Sequence, residues 1–413
     1  MEDGSSRKEK KPGPLEGIKI VEYGVFHAGP GGSAILADMG AEVVKIETMA
    51  GDPMRIWDRT GEVVFGLPDG NSGIFVMSNR NKKGICLDIK SEKGREIFCR
   101  LVKDADVFLT NLRKKTKSKL GIDYATLSKV NPRIIHANVS GYGPEGPMSN
   151  HPAFDALGQA RCGMAYMTGS DDPFFVQLTI LDQMTAIAIS HAILSALVAR
   201  ERQGIGQEVH VSLYSAGMWL LYSNFMLKAL LSIDVNTPWD RSVNSPLRNS
   251  FKCKDGKWIV GSNHPDEKYF PVLCEATGLA NLIDDPRFAD PKMRSVNNAA
   301  LAAIFDEALA TKTADEWMDI FYERGLTFCT VQKPDEVFTD PQALANDYVT
   351  ELEYPDSRVG LVKIPGYPVS FSANQAGTRS FAPSLGEHTD IVMREMGYSD
   401  GDIQILKDEG VIR

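Results

Sequence analysis

Two acids stand where the chain could do covalent chemistry. Asp182, in "QLTILDQMTA", opens a long apolar stretch, and Asp155, in "AFDALGQA", opens a shorter one. A carboxylate at a helix N-terminus is favoured as an anion. It is then ionised and available as a nucleophile, or it is an ordinary helix cap. Residue type and position alone leave both readings open for each acid. A third candidate is "IKIVEYGVFHAGPGGSAILADMGAEVVKIE", residues 18–47. Gly29, Gly31 and Ala34 fit G-x-G-x-x-A, and Glu47 falls where a ribose-binding acid would fall. A dinucleotide site needs its first glycine at the strand end, with the helix N-terminus facing the pyrophosphate. Here Gly24 to Ala28 intervene, and Pro30 occupies a variable position. The letters match and the geometry does not, which leaves a nicotinamide-dependent enzyme as a minor alternative. The run "NLRKKTKSKLG" is the densest basic segment beyond the N-terminus. It reads as a solvated helix face or as a phosphate-binding surface.

Other chemistries have less support. The six cysteines, Cys86, Cys99, Cys162, Cys253, Cys274 and Cys329, form no C-x-x-C, and the seven histidines form no H-E-x-x-H or H-x-H. No metal site is expected, and the thiols read as reduced, which points to a cytoplasmic protein. The net charge of −9 argues against a nucleic-acid partner, which needs a basic face. Residues 1–14 are polar, lack the apolar core of a signal peptide and read as a disordered leader. "ILDQMTAIAISHAILSALVARER" is the most apolar long stretch, but its uncharged run is short for a bilayer. A buried helix is expected there, and no membrane association.

Those candidates need elements to hold them. "IKIVEY", "EVVKIE", "ICLDIK", "DVFLTNL" and "RIIHANVSGYG" read as strands. "GGSAILADMG", closed by Gly40, and "SEKGREIFCRLVKDA", opened by a Ser cap, read as helices between them. The β-branched runs suit a buried parallel sheet, and the βαβ alternation predicts a Rossmann-like doubly wound α/β domain. A helix over "AFDALGQARCGMAYM", a long helix from Asp182 to about Arg202, a strand "QEVHVSL" and one helix "SAGMWLLYSNFMLKALL" follow. Trp219, Tyr222 and Phe225 in the last read as core or as pocket lining. From about 233, "IDVNTPWDRSVNSPLRNS" reads as a linker, and "FKCKDGKWIVGS" as a hairpin turning at Asp255-Gly256. The chain divides into 15–225 of a large domain, 226–339 as linkers and a smaller α+β domain, and 340–413 returning to the large one.

The same segments carry a more specific signal. "LEGIKIVEYGVFHAGPGGSAILADMGAEVVKIE", "NRNKKGICLDIKSEKGREIFCRLVKDADVFLTNL", "LGIDYATLSKVNPRIIHANVSGYGPEGP", "AFDALGQARCGMAYMTG" and "GIGQEVHVSLYSA" occur in an order that resembles the family III CoA-transferases. The resemblance covers nearly all of the chain after residue 14. It implies an enzyme that moves CoA from an acyl-CoA donor to a carboxylic acid acceptor, with the CoA thioester as co-substrate and no resident cofactor. It implies Asp182 as the nucleophile, forming a mixed anhydride and then an aspartyl-CoA thioester. Asp155 falls at a position near the CoA thiol. Phe26, His27 and Ala28 would lie beside pantetheine; Leu87, Asp88, Ile89 and Lys90, with Asn111, Leu112 and Arg113, would border the nucleotide; Lys119 would meet phosphate. The resemblance also implies an interlocked homodimer, each chain a ring threaded through the other.

Departures from the family are visible as well. Met49 stands where some members place an adenine-stacking Arg; either Arg55 substitutes for it, or adenine packs differently. Pro152 replaces a Lys of formyl-CoA transferase. The glycine run that lids that enzyme's site has no counterpart in "DRSVNSPLRNSFKC", which argues against a very small acceptor. Arg241 and Arg248 there are candidates for an acceptor carboxylate. The family also holds acyl-CoA racemases, which move a proton at the α-carbon. In racemases of one type a His precedes the acid at the Asp155 position, whereas this chain has Phe154, with His136 and His151 nearby.

Overall fold

The computed structural model describes residues 11–167, 169, 172–232 and 240–413. Residues 1–10 of the expected leader and 233–239 of the expected linker lie outside these. The described residues form two compact units, one within 11–165, 173–232 and 342–413, the other chiefly within 240–341.

The larger unit is built on a parallel six-stranded sheet. Its strands are β1 (Lys19–Glu22), β2 (Glu42–Glu47), β3 (Lys83–Cys86), β4 (Val107–Thr110), β5 (Ile135–Ser140) and β6 (Gln207–Ser212). They run in the order β3-β2-β1-β4-β5-β6. Side chains alternate between the two faces as strand geometry requires. Ile20, Val107 and Leu109 enter one core; Val21 and Phe108 enter the other. Both faces are covered, which is why the strands read as continuous apolar runs.

Helix α1 (Pro30–Asp38) follows β1, and α2 (Glu92–Lys103) follows β3, its start capped by Ser91 Oγ accepting from Gly94 N at 3.1 Å. Then come α3 (Lys114–Leu120), α4 (Asp155–Cys162) and α5 (Ile180–Gln203). Helix α5 is long and apolar enough to cross a membrane by length and composition. It is instead laid into the core, with Leu181, Ile189 and Ile193 fully buried. At its far end Arg200 Nη2 donates to Asp106 Oδ1 at 2.8 Å.

The glycine cluster is explained by the contact of α1 with α5. A Cβ on Gly32 would sit 2.4 Å from Ile189 Cγ2, and one on Gly31 would sit 3.0 Å from Ala186 Cβ and His27 Cε1. These glycines set the distance between two helices. Glu47 is also committed, as a bidentate partner of Arg55 at 2.7 Å on each oxygen. The expected single helix over 215–231 is two, α6 (Leu213–Leu220) and α7 (Tyr222–Leu231), parted at Leu221 without a Gly or Pro. Trp219 and Tyr222 are 66% and 49% exposed rather than core.

The smaller unit holds a three-stranded antiparallel sheet of Ser250–Lys252, Trp258–Gly261 and Phe328–Val331. Gly256, at φ +80°, turns the hairpin read from "KDGK". Phe251, Phe270, Phe305 and Trp317 fill its separate core.

Gly32→Ala is expected to destabilise the protein by about 1–3 kcal/mol, the cost of overpacking a close contact. Urea unfolding measures this, and because the two changes share one contact, Gly32→Ala and Ile189→Ala together should cost less than the sum of the two alone.

Candidate active site

The loop between β1 and α1 is held from below by a buried ion cluster. Glu22, Lys45 and Lys82 are fully or almost fully buried. Lys45 Nζ meets Glu22 Oε1 at 2.9 Å and Asp52 Oδ2 at 3.0 Å, and Lys82 Nζ meets Glu22 Oε2 at 2.7 Å. Burial alone would raise the Glu22 pKa, but the two lysines outweigh it and bring it down to about 2. Each lysine also grips one end of the loop: Lys45 Nζ donates to Gly24 O at 2.9 Å, and Lys82 Nζ to Pro30 O at 2.8 Å. Asn111, beyond the end of β4, holds its middle. Its Oδ1 accepts from Val25 N at 2.9 Å and its Nδ2 donates to Val25 O at 2.6 Å. A Cβ on Gly24 or Gly29 would come within 3.1 or 3.2 Å of the Asn111 side chain. Phe26 is thereby kept at φ 62°, a conformation that costs a non-glycine residue energy unless its surroundings fix it.

This loop borders a cavity of about 820 Å³, within the range of small-molecule pockets. Val25, Phe26, Ala28, Phe154 and Leu213 supply apolar walls, and Asp182 lines it too. Phe26, Phe154 and Trp57 meet edge to face, with ring centroids 5.2–6.2 Å apart. The polar wall includes Asn111, Arg113, Lys114 and Lys117. A relay that begins buried and ends half-exposed runs from Lys117 Nζ to Asn138 Oδ1, from Asn138 Nδ2 to Glu208 Oε1 at 3.0 Å, and from His210 Nε2 to the same oxygen at 3.2 Å.

Asp182 is the third residue of α5, so it is not the cap. The capping carboxylate is Asp155, from α4: its Oδ2 accepts from Leu181 N at 2.6 Å and Asp182 N at 3.0 Å. Asp182's own carboxylate takes no hydrogen bond from any described residue. The expectation that the helix N-terminus keeps it ionised is therefore corrected. Burial, and then the neighbouring Asp155 carboxylate, push its pKa up to about 7.

The other sequence-derived residues separate into two groups. Phe26, Ala28, Asn111, Leu112 and Arg113 line the cavity with Asp182. His27 does not. It is turned inward, Nδ1 with Ser78 Oγ at 2.7 Å and Nε2 with Gln183 Oε1 at 2.9 Å, and burial lowers its pKa to about 4. It is a neutral brace on the first turn of α5. None of Leu87, Asp88, Ile89 and Lys90 lines the cavity: Leu87 and Ile89 are core, while Lys90 is exposed, as is Lys119. Arg55 is spent on Glu47, Pro383 O and the Phe75 ring, so it does not replace an Arg at Met49.

Sequence reading missed Asn138, Glu208, His210 and Trp57, and held Lys117 only as part of the basic run 111–121. The position of Asn138 toward the carboxyl end of β5 was the available signal, since α/β sheets bind ligands at that edge.

Residues 15–389 match CoA-transferase family III, and the chain belongs to that family. It is an enzyme of CoA-transferase type, and its relatives carry that name. It is 34% identical to an acyl-CoA transferase of Fusarium pseudograminearum over 405 residues, 97% of this chain and 88% of that one. It is 31% identical to the (R)-2-hydroxy-4-methylpentanoate CoA-transferase of Clostridioides difficile, over 97% of this chain and 99% of that one. Among solved structures, a CaiB/BaiF family protein from Brucella suis superposes with a TM-score of 0.80 at 28% identity, covering 93% of this chain and all of the other.

The raised Asp182 pKa fixes a sign for stability. The native state holds this proton more tightly than the unfolded chain, so ionisation costs stability as pH rises from about 4 to about 7 and no further above that. Asp182→Asn should therefore be more stable than the wild type at pH 8, by on the order of 4 kcal/mol, with the gap closing toward pH 4. Thermal melts of both proteins across that range measure it.

Proposed function

We propose that the protein transfers CoA from an acyl-CoA thioester to a carboxylic acid, with Asp182 as the covalent nucleophile. The observation that carries this is a carboxylate without a hydrogen bond from any described residue, on the wall of a cavity with apolar and basic sides. Asp182 Oδ attacks the thioester carbon, the C–S bond breaks, and CoA thiolate leaves a mixed anhydride. The thiolate then attacks the aspartyl carbonyl, releasing the donor's acid and leaving an aspartyl-CoA thioester. The acceptor carboxylate attacks that thioester and expels the thiolate, giving a second anhydride. Attack of the thiolate on the acceptor's acyl carbon forms the new acyl-CoA and frees Asp182. No central step needs a proton.

The environment favours this sequence. Burial and Asp155 penalise the Asp182 anion, and both acylated intermediates are neutral at that position, so acylation relieves the penalty. Asp155, by taking the N–H groups of Leu181 and Asp182, keeps them from quenching the nucleophile. It is a positioning residue, and so is His27. Lys117, Lys114 and Arg113 are the cavity's candidates for the phosphates, and Phe26 with Phe154 for the acyl and pantetheine portions. Together with the missing glycine run, the relative that acts on (R)-2-hydroxy-4-methylpentanoate supports an acceptor larger than formate or oxalate. The acceptor classes we favour are 2-hydroxy acids, aryl acids and substituted succinates.

We further propose an interlocked homodimer, because α6 and α7 leave Trp219, Tyr222, Leu230 and Leu231 exposed together, and such a patch on a chain of this family calls for a cover. The free thiols support a reducing, cytosolic setting. A racemase reading retains one observation: His151 lines the same cavity as Asp182.

Incubation with succinyl-CoA, followed by hydroxylamine trapping and peptide mass spectrometry, should place a modification on Asp182. It should vanish in Asp182→Ala, and its rate of formation should climb with pH through about 7 as the carboxyl ionises. An unmodified Asp182, with α-deuterium exchange into a 2-methylacyl-CoA in heavy water, would favour the racemase instead.

A further inference from the structure

Helix α4 meets the start of α5 with three residues spaced i, i+3 and i+4, which share one face of a helix. Gly158 admits Leu181: a Cβ there would lie 2.7 Å from Leu181 Cδ2. Asp155 takes the N–H groups of Leu181 and Asp182 on Oδ2. Gln159, 1% exposed, spends its whole amide. Its Oε1 accepts from Val176 N at 3.0 Å, and its Nε2 donates to Val176 O at 2.9 Å and to Asp155 Oδ1 at 2.5 Å. The pairing with Val176 fixes the amide's orientation, because the flipped amide would set oxygen against oxygen and N–H against N–H. A donor is therefore aimed at Asp155. Helix α4 thus grips the chain at two points, Val176 and residues 181–182. Residues 177–180 must turn between them, and Leu178 does so at φ 63° while 62% exposed. A bulky residue keeps that conformation where its surroundings impose it.

Asp155 and Asp182 are neighbouring acids, and each bears on where the other's proton sits. Three N–H groups point at the Asp155 oxygens, and none from a described residue points at those of Asp182. Hydrogen bonds to a carboxylate favour its charged form, so this pattern places charge on Asp155. Two of the three donors are backbone; the third is Gln159. We propose that Gln159 is the positioning residue that decides which of the two acids is the nucleophile, an inference that rests on the transferase reading of Asp182. It holds Asp155 on the N–H groups of α5 and keeps that carboxylate from turning to share the Asp182 proton. Gln159 does not line the cavity, so it acts through Asp155 and not on the substrate. The other titratable groups around this contact are few. Cys162 lies one turn on in α4, its Sγ 3.5 Å from Gln159 O, and burial keeps its thiol protonated. His27, neutral, is bonded to Gln183. Helix α6, packed against Cys162 at Gly217, carries Tyr214, and residues 173–179 carry none.

The rate of Asp182 acylation by succinyl-CoA, followed by mass spectrometry from about pH 5 to about pH 9, tests it. In wild type the rate should rise through about 7. Gln159→Leu removes a donor from Asp155, which then competes for the proton, so Asp182 ionises earlier. The midpoint should fall toward about 6, and the plateau by about tenfold as the nucleophile loses its alignment. Gln159→Glu keeps the size. Protonated, it still donates to Asp155; ionised, it adds a third negative charge, and the midpoint should rise toward about 8. Half-saturation by succinyl-CoA should stay within about twofold in both variants. A side chain that only packs would lower the melting temperature and leave the midpoint in place. Unmoved midpoints, or failure of Gln159→Glu to fold at about pH 5, where its carboxyl holds a proton, overturn the proposal. Gln159→Glu is decisive where Gln159→Leu does not fold. A wild type that never forms the adduct removes the transferase reading instead. The midpoint is then read from melts, as the pH at which the stability gap between each protein and its Asp182→Asn derivative opens, and displacements in the same opposite directions are required.

Discussion

A single buried carboxylate underlies the geometry of the site. Glu22 sits at the end of the central strand β1, away from water, and draws Lys45 and Lys82 to it from two other parts of the chain. A buried charge of this kind is costly on its own, and removing one member leaves the others uncompensated, typically at 3–5 kcal/mol. The arrangement shapes the loop as well as closing the charge balance. The spare N–H groups of the two lysines reach carbonyls at opposite ends of residues 24–30 and fix the span of the loop that presents Phe26 and Ala28. Asn111 completes the job by imitating a strand partner for Val25.

Much of this was legible in the sequence, for definite reasons. The strands were readable because a sheet covered on both faces demands unbroken β-branched runs. The start of α5 was readable because an apolar helix of that length needs a polar N-terminal turn. What escaped was tertiary in origin. The cap of α5 comes from Asp155, on another helix, and no local signal announces a cap that reaches across space. His27 sits in a loop that resembles a cofactor channel, yet its ring faces Gln183 and Ser78. Leu87 and Ile89 align with ligand-bordering positions but are packed as core. The glycine cluster, whose letters match a nucleotide fingerprint without its geometry, serves another purpose: it lets α1 lie close to α5.

Asp155 and Asp182 divide one task. A lone acid at a helix start would be stabilised by the N–H groups around it and would be a poor nucleophile for that reason. Here Asp155 accepts those donors, and Asp182 accepts none from any described residue. The resulting rise of its pKa to about 7 shows that the anion is unwelcome there, and acylation at that oxygen is a way to remove the charge.

The ends of α5 carry one more consequence. At its start, Asp155 and the His27–Gln183 bond hold the first turn; at its finish, Arg200 is tied to Asp106. A helix pinned only at one end can turn about its axis like a screw, and a slip of one residue swings each side chain by about 100°. Pinned at both ends, with glycines of α1 pressed against its middle, this helix has no such freedom. The setting is mechanical: a shaft held in two bearings, which fixes where the Asp182 side chain leaves the helix.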